Sequence, residues 1–107
     1  MLYVLTVRRI KPGKFEEFRS AFMGDTAAKI PPNPTAAGRF VRFNLIRDVT
    51  DEDTVVTFGM FDGSRDELEA TQKAVGYYER RAAADAFVDE VLVNGVFDVL
   101  IDNRAEE

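Results

Sequence analysis

Hydrophobic residues lie on both faces of the segments in this chain that are typical of β-strands. The clearest case is Arg39–Asp48, where they occupy both sets of alternating positions: Val41, Phe43 and Leu45 on one, Phe40 and Ile46 on the other. A strand that is hydrophobic on both faces is covered on both faces in the folded protein. The pattern therefore predicts a sheet that is buried on both sides.

Three further segments are rich in β-branched, aromatic and other hydrophobic residues, which indicates strands: Leu2–Ile10, Thr54–Asp62 and Val96–Ile101. We predict that Arg39–Asp48 and Thr54–Asp62 form a hairpin, and that Asn94-Gly95 is a turn before the last strand. The acidic segment 48–53 between the hairpin strands lacks the spacing and the glycine of an EF-hand calcium loop. We interpret it as a solvated turn.

Two helical regions separate the strands. Phe15, Phe18 and Phe22 recur at helical spacing and predict a helix from about Gly13 to Met23, extending at most to Lys29. The capping-box sequence from Ser64 to Glu67 begins the second region. Gly76 is predicted to divide that region, and its second piece runs from Tyr77 to about Val88. Three prolines within 30–38 predict an irregular surface loop that leads into the strand Arg39–Asp48, and the sequence leaves open whether this loop covers a cleft.

The order of elements is strand, helix, strand, strand, helix, strand. Right-handed crossovers then place both helices on one face of a four-stranded antiparallel sheet, which is the α+β, ferredoxin-like βαββαβ arrangement. Because the other face is also hydrophobic, we expect a second copy of the chain to cover it, giving a homodimer. At this length we predict a single domain, 1–107.

Composition removes several classes of chemistry. The chain has no Cys and no His, so it has no thiolate nucleophile, no disulfide and neither of the commonest metal ligands. We therefore predict no metal site and no bound cofactor. A net charge of −5 argues against nucleic acid as a partner. No hydrophobic run is long enough to span a membrane, and the N-terminus is unlike a signal peptide, so we expect a soluble cytoplasmic protein.

The stretch from Gly38 to Gln72 resembles the dimeric α/β-barrel domains of the antibiotic-biosynthesis-monooxygenase type. In these domains a strand with a Leu-Leu-Arg-Asp-like end precedes an acidic turn, a strand that ends in an aromatic residue plus Asp/Glu-x-Ser, and a helix. The matching positions are Asn44–Asp48 and Phe61–Ser64, and Lys11–Lys14 is similar to the family's first turn. The resemblance implies a dimeric α/β barrel with a pocket between the sheet and the helices of each protomer.

The same comparison narrows the expected chemistry. Members of this family usually carry Trp where this chain has Phe61, and its haem-degrading members use a helix His that this chain lacks. The resemblance therefore excludes haem degradation by that arrangement. The cofactor-free oxygenases of the family act on anthrone-like or quinol-like aromatic molecules and use Asn, Tyr, Arg and Trp. Three of these four residue types are available here.

These considerations give a candidate catalytic set of Asn44, Arg42 and Tyr77. By strand alternation Arg42 and Asn44 share a face with Phe40 and Ile46. We expect Asn44 to orient a carbonyl or hydroxyl group and Arg42 to offset the charge of an enolate or phenolate. Tyr77 then donates a proton or stacks on the substrate. The predicted substrate-binding residues are Phe40, Thr57, Phe61 and Tyr78.

Each assignment has a structural alternative. In the alternative for Arg42, its long aliphatic stem carries the guanidinium group to solvent. In the alternative for Asn44, its side chain caps a neighbouring strand. Of Tyr77 and Tyr78, one packs in the core and the other lies on the surface.

Three functions remain open from the sequence. The first is a cofactor-independent monooxygenase that acts on a small aromatic substrate, polyketide-like or quinol-like. The second is a non-catalytic dimeric barrel that binds a small molecule or is associated with stress. The third is an interaction module with a filled interior. Fold likeness alone does not choose among them.

Overall fold

The computed structural model describes residues 1–23 and 39–101, so the predicted loop over 30–38 and any extension of the first helix beyond Met23 lie outside it. The described part forms an antiparallel sheet in the order β2-β3-β1-β4, with helices between the strands. This confirms the predicted α+β, ferredoxin-like arrangement. The elements are β1 (Leu2–Ile10), α1 (Phe15–Met23), β2 (Arg39–Arg47), β3 (Thr54–Asp62), α2 (Arg65–Ala74), α3 (Tyr77–Ala84), a 3-10 turn (Asp85–Phe87) and β4 (Val88–Asp98).

The core lies between one face of the sheet and the helices. Ile10 and Val55 from the sheet pack with Phe18 and Phe22, two members of the phenylalanine stripe of α1. All four side chains are buried, and the Phe22 ring also stacks on Phe43 of β2 at 6.2 Å between centroids. The stripe predicted from sequence spacing is therefore the face by which α1 packs on the sheet.

A bulge in β2 changes which of its residues face the helices. Phe40 pairs with Phe61, but Arg42 pairs with Met60, so Val41 is an extra residue in this strand. From Arg42 onwards the alternation is shifted by one position. Phe40 therefore lies on the helix-facing side, whereas Arg42 lies on the opposite side, and the predicted sharing of a face by these residues is wrong.

The last strand begins earlier than the sequence predicts. The predicted helix to Val88 ends at Ala84, and the predicted turn Asn94-Gly95 lies inside β4. Thr6 Oγ1 donates a hydrogen bond to Asn94 Oδ1 at 3.2 Å, which uses the Asn side chain within the sheet. A Cβ at position 95 would lie 3.0 Å from the Phe97 ring, so Gly95 leaves room for that ring. Both turn-forming residues therefore serve packing in a strand.

The other side of the sheet, called here the open face, is covered by no element within 1–23 or 39–101. Ile46, Val93 and Phe97 on this face are 52%, 40% and 46% exposed. Its hydrophobic residues, assigned from the pairing register, are Tyr3, Leu5, Val7, Ile46, Val56, Phe58, Met60, Val93 and Phe97. None of the helices in the described ranges is long and hydrophobic enough to cross a membrane.

Local signals in the helices are confirmed. Ser64 Oγ accepts a hydrogen bond from the Glu67 N–H, and the Glu67 carboxylate accepts one from the Ser64 N–H, which completes the capping box. Gly76 separates α2 from α3 with a left-handed φ of 72°. Arg80 Nε donates to the Phe22 carbonyl oxygen at 2.9 Å, so α3 is tied to the last turn of α1.

The capping box predicts a specific dependence of stability on pH. The hydrogen bond from the Ser64 N–H holds the pKa of the Glu67 carboxyl below its ordinary value of 4.5. A carboxyl with a depressed folded-state pKa stabilises the fold above its unfolded pKa, and this contribution is lost as the pH falls through the folded pKa. Glu67→Gln keeps an acceptor oxygen but does not titrate. We expect its stability, measured by urea unfolding, to fall less than that of the wild type between about pH 6 and pH 3. Parallel profiles would contradict this role.

Candidate functional site

A row of polar side chains is buried on the helix-facing side of the sheet. Thr6 and Thr57 are paired directly across β1 and β3, and they are 1% and 5% exposed. Arg8, two residues along β1 on the same side, is 1% exposed. Burying polar groups in a hydrophobic core destabilises a fold unless they find partners. The hydrogen-bond partners of these buried polar groups therefore have to be identified.

Arg8 is held from the sheet and from α1. Its Nη1 donates a hydrogen bond to Thr57 Oγ1 at 2.9 Å. Its guanidinium carbon lies 5.6 Å from the centroid of the Phe18 ring and 5.1 Å from that of Phe22. A cation against aromatic rings is attracted by their electron-rich faces. The strand thus fixes the position of the guanidinium, and the phenylalanine stripe of α1 encloses it.

The second terminal nitrogen of Arg8 has no partner among the residues that the structure describes. Arg8 Nη2 is buried, and no acceptor within 1–23 and 39–101 bonds to it. The ion pairs between described residues join exposed side chains instead. Burial lowers the pKa of Arg8, while the charge and the hydrogen-bonding hydroxyl of Tyr77 oppose this change. Because arginine is not deprotonated in proteins, a buried cation with a free donor remains.

Helix α3 and the turn after it supply the other groups near this cation. The Tyr77 ring meets Phe22 edge-on, with 6.0 Å between centroids. The charges of Arg81 and Asp85 act on the pKa of Arg8 in opposite directions, Arg81 lowering it and Asp85 raising it. We call the convergent set the Arg8 cluster: Arg8, Thr57, Phe18, Phe22 and Tyr77.

Two of the residues predicted from sequence, Thr57 and Tyr77, belong to this cluster. Phe40 and Phe61 lie on the same side of the sheet, where their rings meet edge-to-face at 5.1 Å. Phe61 is at the opposite end of β3 from Val55, which pairs with Arg8, so this ring pair is distant from the cation. Tyr78 is 41% exposed, and its hydroxyl donates to Gln72 Oε1 at 3.3 Å.

Arg42 and Asn44 do not join Tyr77. They pair with Met60 and Phe58 on the open face, so the sheet separates them from the helices. The prediction that they line a pocket between sheet and helices is therefore wrong, because the bulge at Val41 turns them to the other side.

Sequence reasoning did not select Arg8, although a signal was present. Arg8 shares its alternating position in β1 with Leu2 and Val4, so it is a basic residue on a hydrophobic face of a strand. The same reasoning had pointed to Arg42. Only the strand pairing shows which of these two arginines lies beneath the helices.

Solved structures similar to this chain share its fold over nearly its whole length. Rv0793 from Mycobacterium tuberculosis has 18% identity and a TM-score of 0.71, covering 96% of this chain and 98% of its own. A protein from Caulobacter crescentus, provisionally described as an antibiotic biosynthesis monooxygenase, has 22% identity and a TM-score of 0.71, with coverage of 94% and 90%. A variant of SnoaB, a cofactor-independent oxygenase from Streptomyces nogalater, has 19% identity and a TM-score of 0.68, with 97% coverage of both chains.

These likenesses confirm the resemblance to the antibiotic-biosynthesis-monooxygenase type of domain at the level of the fold. The sequence matches no protein-family model and no curated protein. The chemistry of this chain must therefore be argued from its own residues.

The buried cation gives a prediction about stability. Arg8→Met replaces a charge that lacks a described counter-ion with a hydrophobic side chain of similar length. Such replacements are often neutral or stabilising by about 1–4 kcal/mol. We expect the free energy of unfolding of Arg8→Met, measured with urea, to equal or exceed that of the wild type.

Arg8→Ala is the control for lost volume, because it removes the charge and also leaves a cavity. We expect it to lower the free energy of unfolding by about 2 kcal/mol or more. If Arg8→Met lost as much as Arg8→Ala, the guanidinium would be a structural group and not a site held for a ligand.

Proposed function

We propose that this chain is a cofactor-independent monooxygenase that acts on a small aromatic substrate, polyketide-like or quinol-like, at the Arg8 cluster. The observation that carries the proposal is a buried guanidinium with a free N–H, placed among aromatic rings and beside the Tyr77 side chain. The fold shared with a cofactor-independent oxygenase supports it further. In this proposal Arg8 takes the role that the sequence had suggested for Arg42.

The proposed chemistry begins with loss of a proton from an acidic C–H of the substrate. The negative charge that forms is delocalised onto a carbonyl or phenol oxygen, and a fixed positive donor in a water-poor site stabilises such charge strongly. Arg8 Nη2 is the proposed donor, Thr57 holds the guanidinium in place, and the Tyr77 hydroxyl supplies a proton later. The proton lost at this step passes to water.

Oxygen then reacts with the carbanion, and the substrate supplies all the electrons. A new C–O bond forms a hydroperoxide on the reacting carbon, and the distal oxygen takes a proton from Tyr77, which is reprotonated from water. The hydroperoxide then loses water, taking the second hydrogen from that carbon, and leaves a ketone. One oxygen atom enters the product and the other leaves as water. The balance is one CH₂ and one O₂ giving one C=O and one H₂O, so no cofactor is needed.

The open face supports the proposal of a homodimer. A contiguous hydrophobic surface of this extent is rare on a monomer and is typical of an interface. A second copy, related by a two-fold axis, would cover it with the same residues. Arg42 and Asn44 then belong to the contact between protomers and not to the catalytic set. Phe40, Phe61 and Tyr78 are not part of the Arg8 cluster, and their role as substrate-binding residues stays a prediction from the sequence.

A second candidate function is supported by what the cluster holds. Its described members include donors and aromatic rings but no carboxylate, and the chain has no His to act as a general base. The same residues suit retention of an aromatic molecule without turnover. The alternative is therefore a dimeric barrel that binds a small molecule and does not transform it.

Oxygen consumption tests the first function directly. We expect uptake with anthrone or a naphthoquinol to exceed spontaneous oxidation in buffer when the wild-type protein is present. Removing a single charge-stabilising donor typically lowers kcat by about 10²–10³-fold, and we expect a loss of this size in Arg8→Met. Arg19→Met is the matched control, because Arg19 lies on the outer side of α1 in an exposed pair with Glu16.

Equal uptake by Arg8→Met and the wild type would contradict the assigned role of Arg8. If no substrate in the panel gave uptake above buffer while the same molecules bound, the binding function would replace the monooxygenase.

The dimer has its own test. Val93→Glu places a charge on the open face, whereas Val96→Glu places one on the other side of β4 at similar exposure, 37% against 40%. Burying an unpaired carboxylate in an interface is strongly unfavourable. We expect light scattering at micromolar concentration to give the mass of two chains for the wild type and for Val96→Glu, and of one chain for Val93→Glu. A single-chain mass for the wild type would exclude the dimer.

A further inference from the structure

We propose that the Arg8 cluster selects ligands that carry an oxyanion, and that this oxygen accepts a hydrogen bond from Arg8 Nη2. The ligand class is an aromatic molecule with a carboxylate, or with a phenol or enol that ionises on binding. The inference rests on the proposed function in one respect, that a small aromatic molecule enters between the sheet and the helices. Beyond the proposed function, the inference specifies that the molecule is negatively charged and that Arg8 Nη2 is the atom that binds its charged oxygen.

Two consecutive arginines of β1, Arg8 and Arg9, differ in whether a carboxylate pairs with them. Arg9, on the opposite side of β1, has a carboxylate partner, since its Nη1 lies 2.9 Å from Glu90 Oε2. Arg8 is the more deeply buried of the two, yet no described carboxylate pairs with it. A buried charge normally has a counter-charge, because an unpaired one is costly. In our proposal a ligand supplies the counter-charge that no described residue provides.

The charged side chains around Arg8 do not neutralise it. The charges of Arg81 in α3 and of Asp85 in the turn that follows act on the pKa of Arg8 in opposite directions. Arg47, in the same row across β3, places its guanidinium 4.4 Å from the centroid of the Phe15 ring. Since the charges of Arg81 and Asp85 oppose each other, the charge of Arg8 itself has no described counter-charge. A ligand that brings one negative charge balances this set.

The guanidinium of Arg8 is fixed in its orientation. The hydrogen bond from Nη1 to Thr57 Oγ1 and the rings of Phe18 and Phe22 restrict the rotation of the group. A guanidinium is planar, so the Nη2 donors lie in the plane that Thr57 helps to define. An oxyanion that accepts from Nη2 is therefore held at a fixed position relative to the aromatic rings. The cluster would therefore select ligands in which a negatively charged oxygen lies at that position relative to the aromatic ring system.

Ionisation of a bound phenol or enol follows from the same contact. A nearby positive charge favours the anionic form, so the pKa of the bound hydroxyl group falls below that of the free ligand. Below the pKa of the free ligand, affinity then rises with pH, because the ligand is taken up as its anion. The groups facing the site that also act on this equilibrium are Arg8, Tyr77, Arg81, Asp85 and Arg47.

Three stable ketones that do not react with oxygen provide the probes. Anthraquinone-2-carboxylate carries a fixed anion, 2-(hydroxymethyl)anthraquinone is its neutral counterpart, and alizarin carries phenols whose ionisation changes its visible spectrum. Dissociation constants are measured by calorimetry, and the pKa of bound alizarin by spectrophotometric titration. The proteins are the wild type, Arg8→Met, and Arg19→Met as the control on the outer side of α1.

With the wild type and with Arg19→Met, we expect the carboxylate to bind at least about tenfold more tightly than the neutral probe, or the pKa of bound alizarin to fall by at least about one unit. Arg8→Met is expected to lose whichever effect the wild type shows, while its melting temperature equals or exceeds that of the wild type. A preference for the carboxylate alone identifies a fixed anion as the ligand group. A shift of alizarin alone identifies an oxygen that ionises on binding.

Three results would overturn the inference, and they are distinguishable. If all three probes bound with similar affinity and alizarin kept its free pKa, the cluster would bind aromatic molecules without regard to charge, and the proposed function would stand. If the wild type bound none of the probes, both the oxyanion site and the aromatic site would be excluded. Effects that persisted in Arg8→Met would assign the oxyanion to another residue.

Discussion

The buried guanidinium of Arg8 is the constraint around which the helix-facing side of the sheet is arranged. Thr57 Oγ1 on the neighbouring strand accepts a hydrogen bond from Arg8 Nη1, and the rings of Phe18 and Phe22 in α1 lie against the guanidinium carbon. A hydrophobic residue at this position would fill the same space with less desolvation of charge. Function often needs a site that lowers the stability of the fold. The buried cation is therefore the feature of the described core on which the proposed site is built.

Much of the fold could be predicted because its signals are local. The phenylalanine spacing of α1, the capping box at Ser64 and the break at Gly76 each depend on residues within a few positions of one another. The Asn94-Gly95 pair shows where local reasoning stops. Its turn propensity is overridden by the pairing of β4 with β1, in which Asn94 lies opposite Thr6, 88 residues away in the chain. A contact of that range leaves no trace in the local pattern.

The site was less predictable than the fold, for a reason that β2 makes plain. Arg42 and Arg8 are both basic residues on hydrophobic faces of strands, and the sequence pattern does not distinguish them. The distinction lies in strand pairing: one extra residue, Val41, places Arg42 on the open face, whereas Arg8 remains beneath α1. The sequence pattern therefore indicates a basic residue on a hydrophobic strand face but not which arginine lies beneath the helices. Thr57 lies on the helix-facing side because β3 alternates without a bulge along its pairing with β1.

The bulge at Val41 also bears on how such chains can change during evolution. Because Val41 is the extra residue, deleting it would leave Phe40 and Arg42 in regular alternation and keep both faces of β2 as they are. Deleting a residue beyond the bulge, such as Asn44, would instead move Leu45 from the helix-facing side to the open face while the bulge is kept. A gap of one residue is therefore neutral at one position of this strand and exchanges interior for exterior a few positions later.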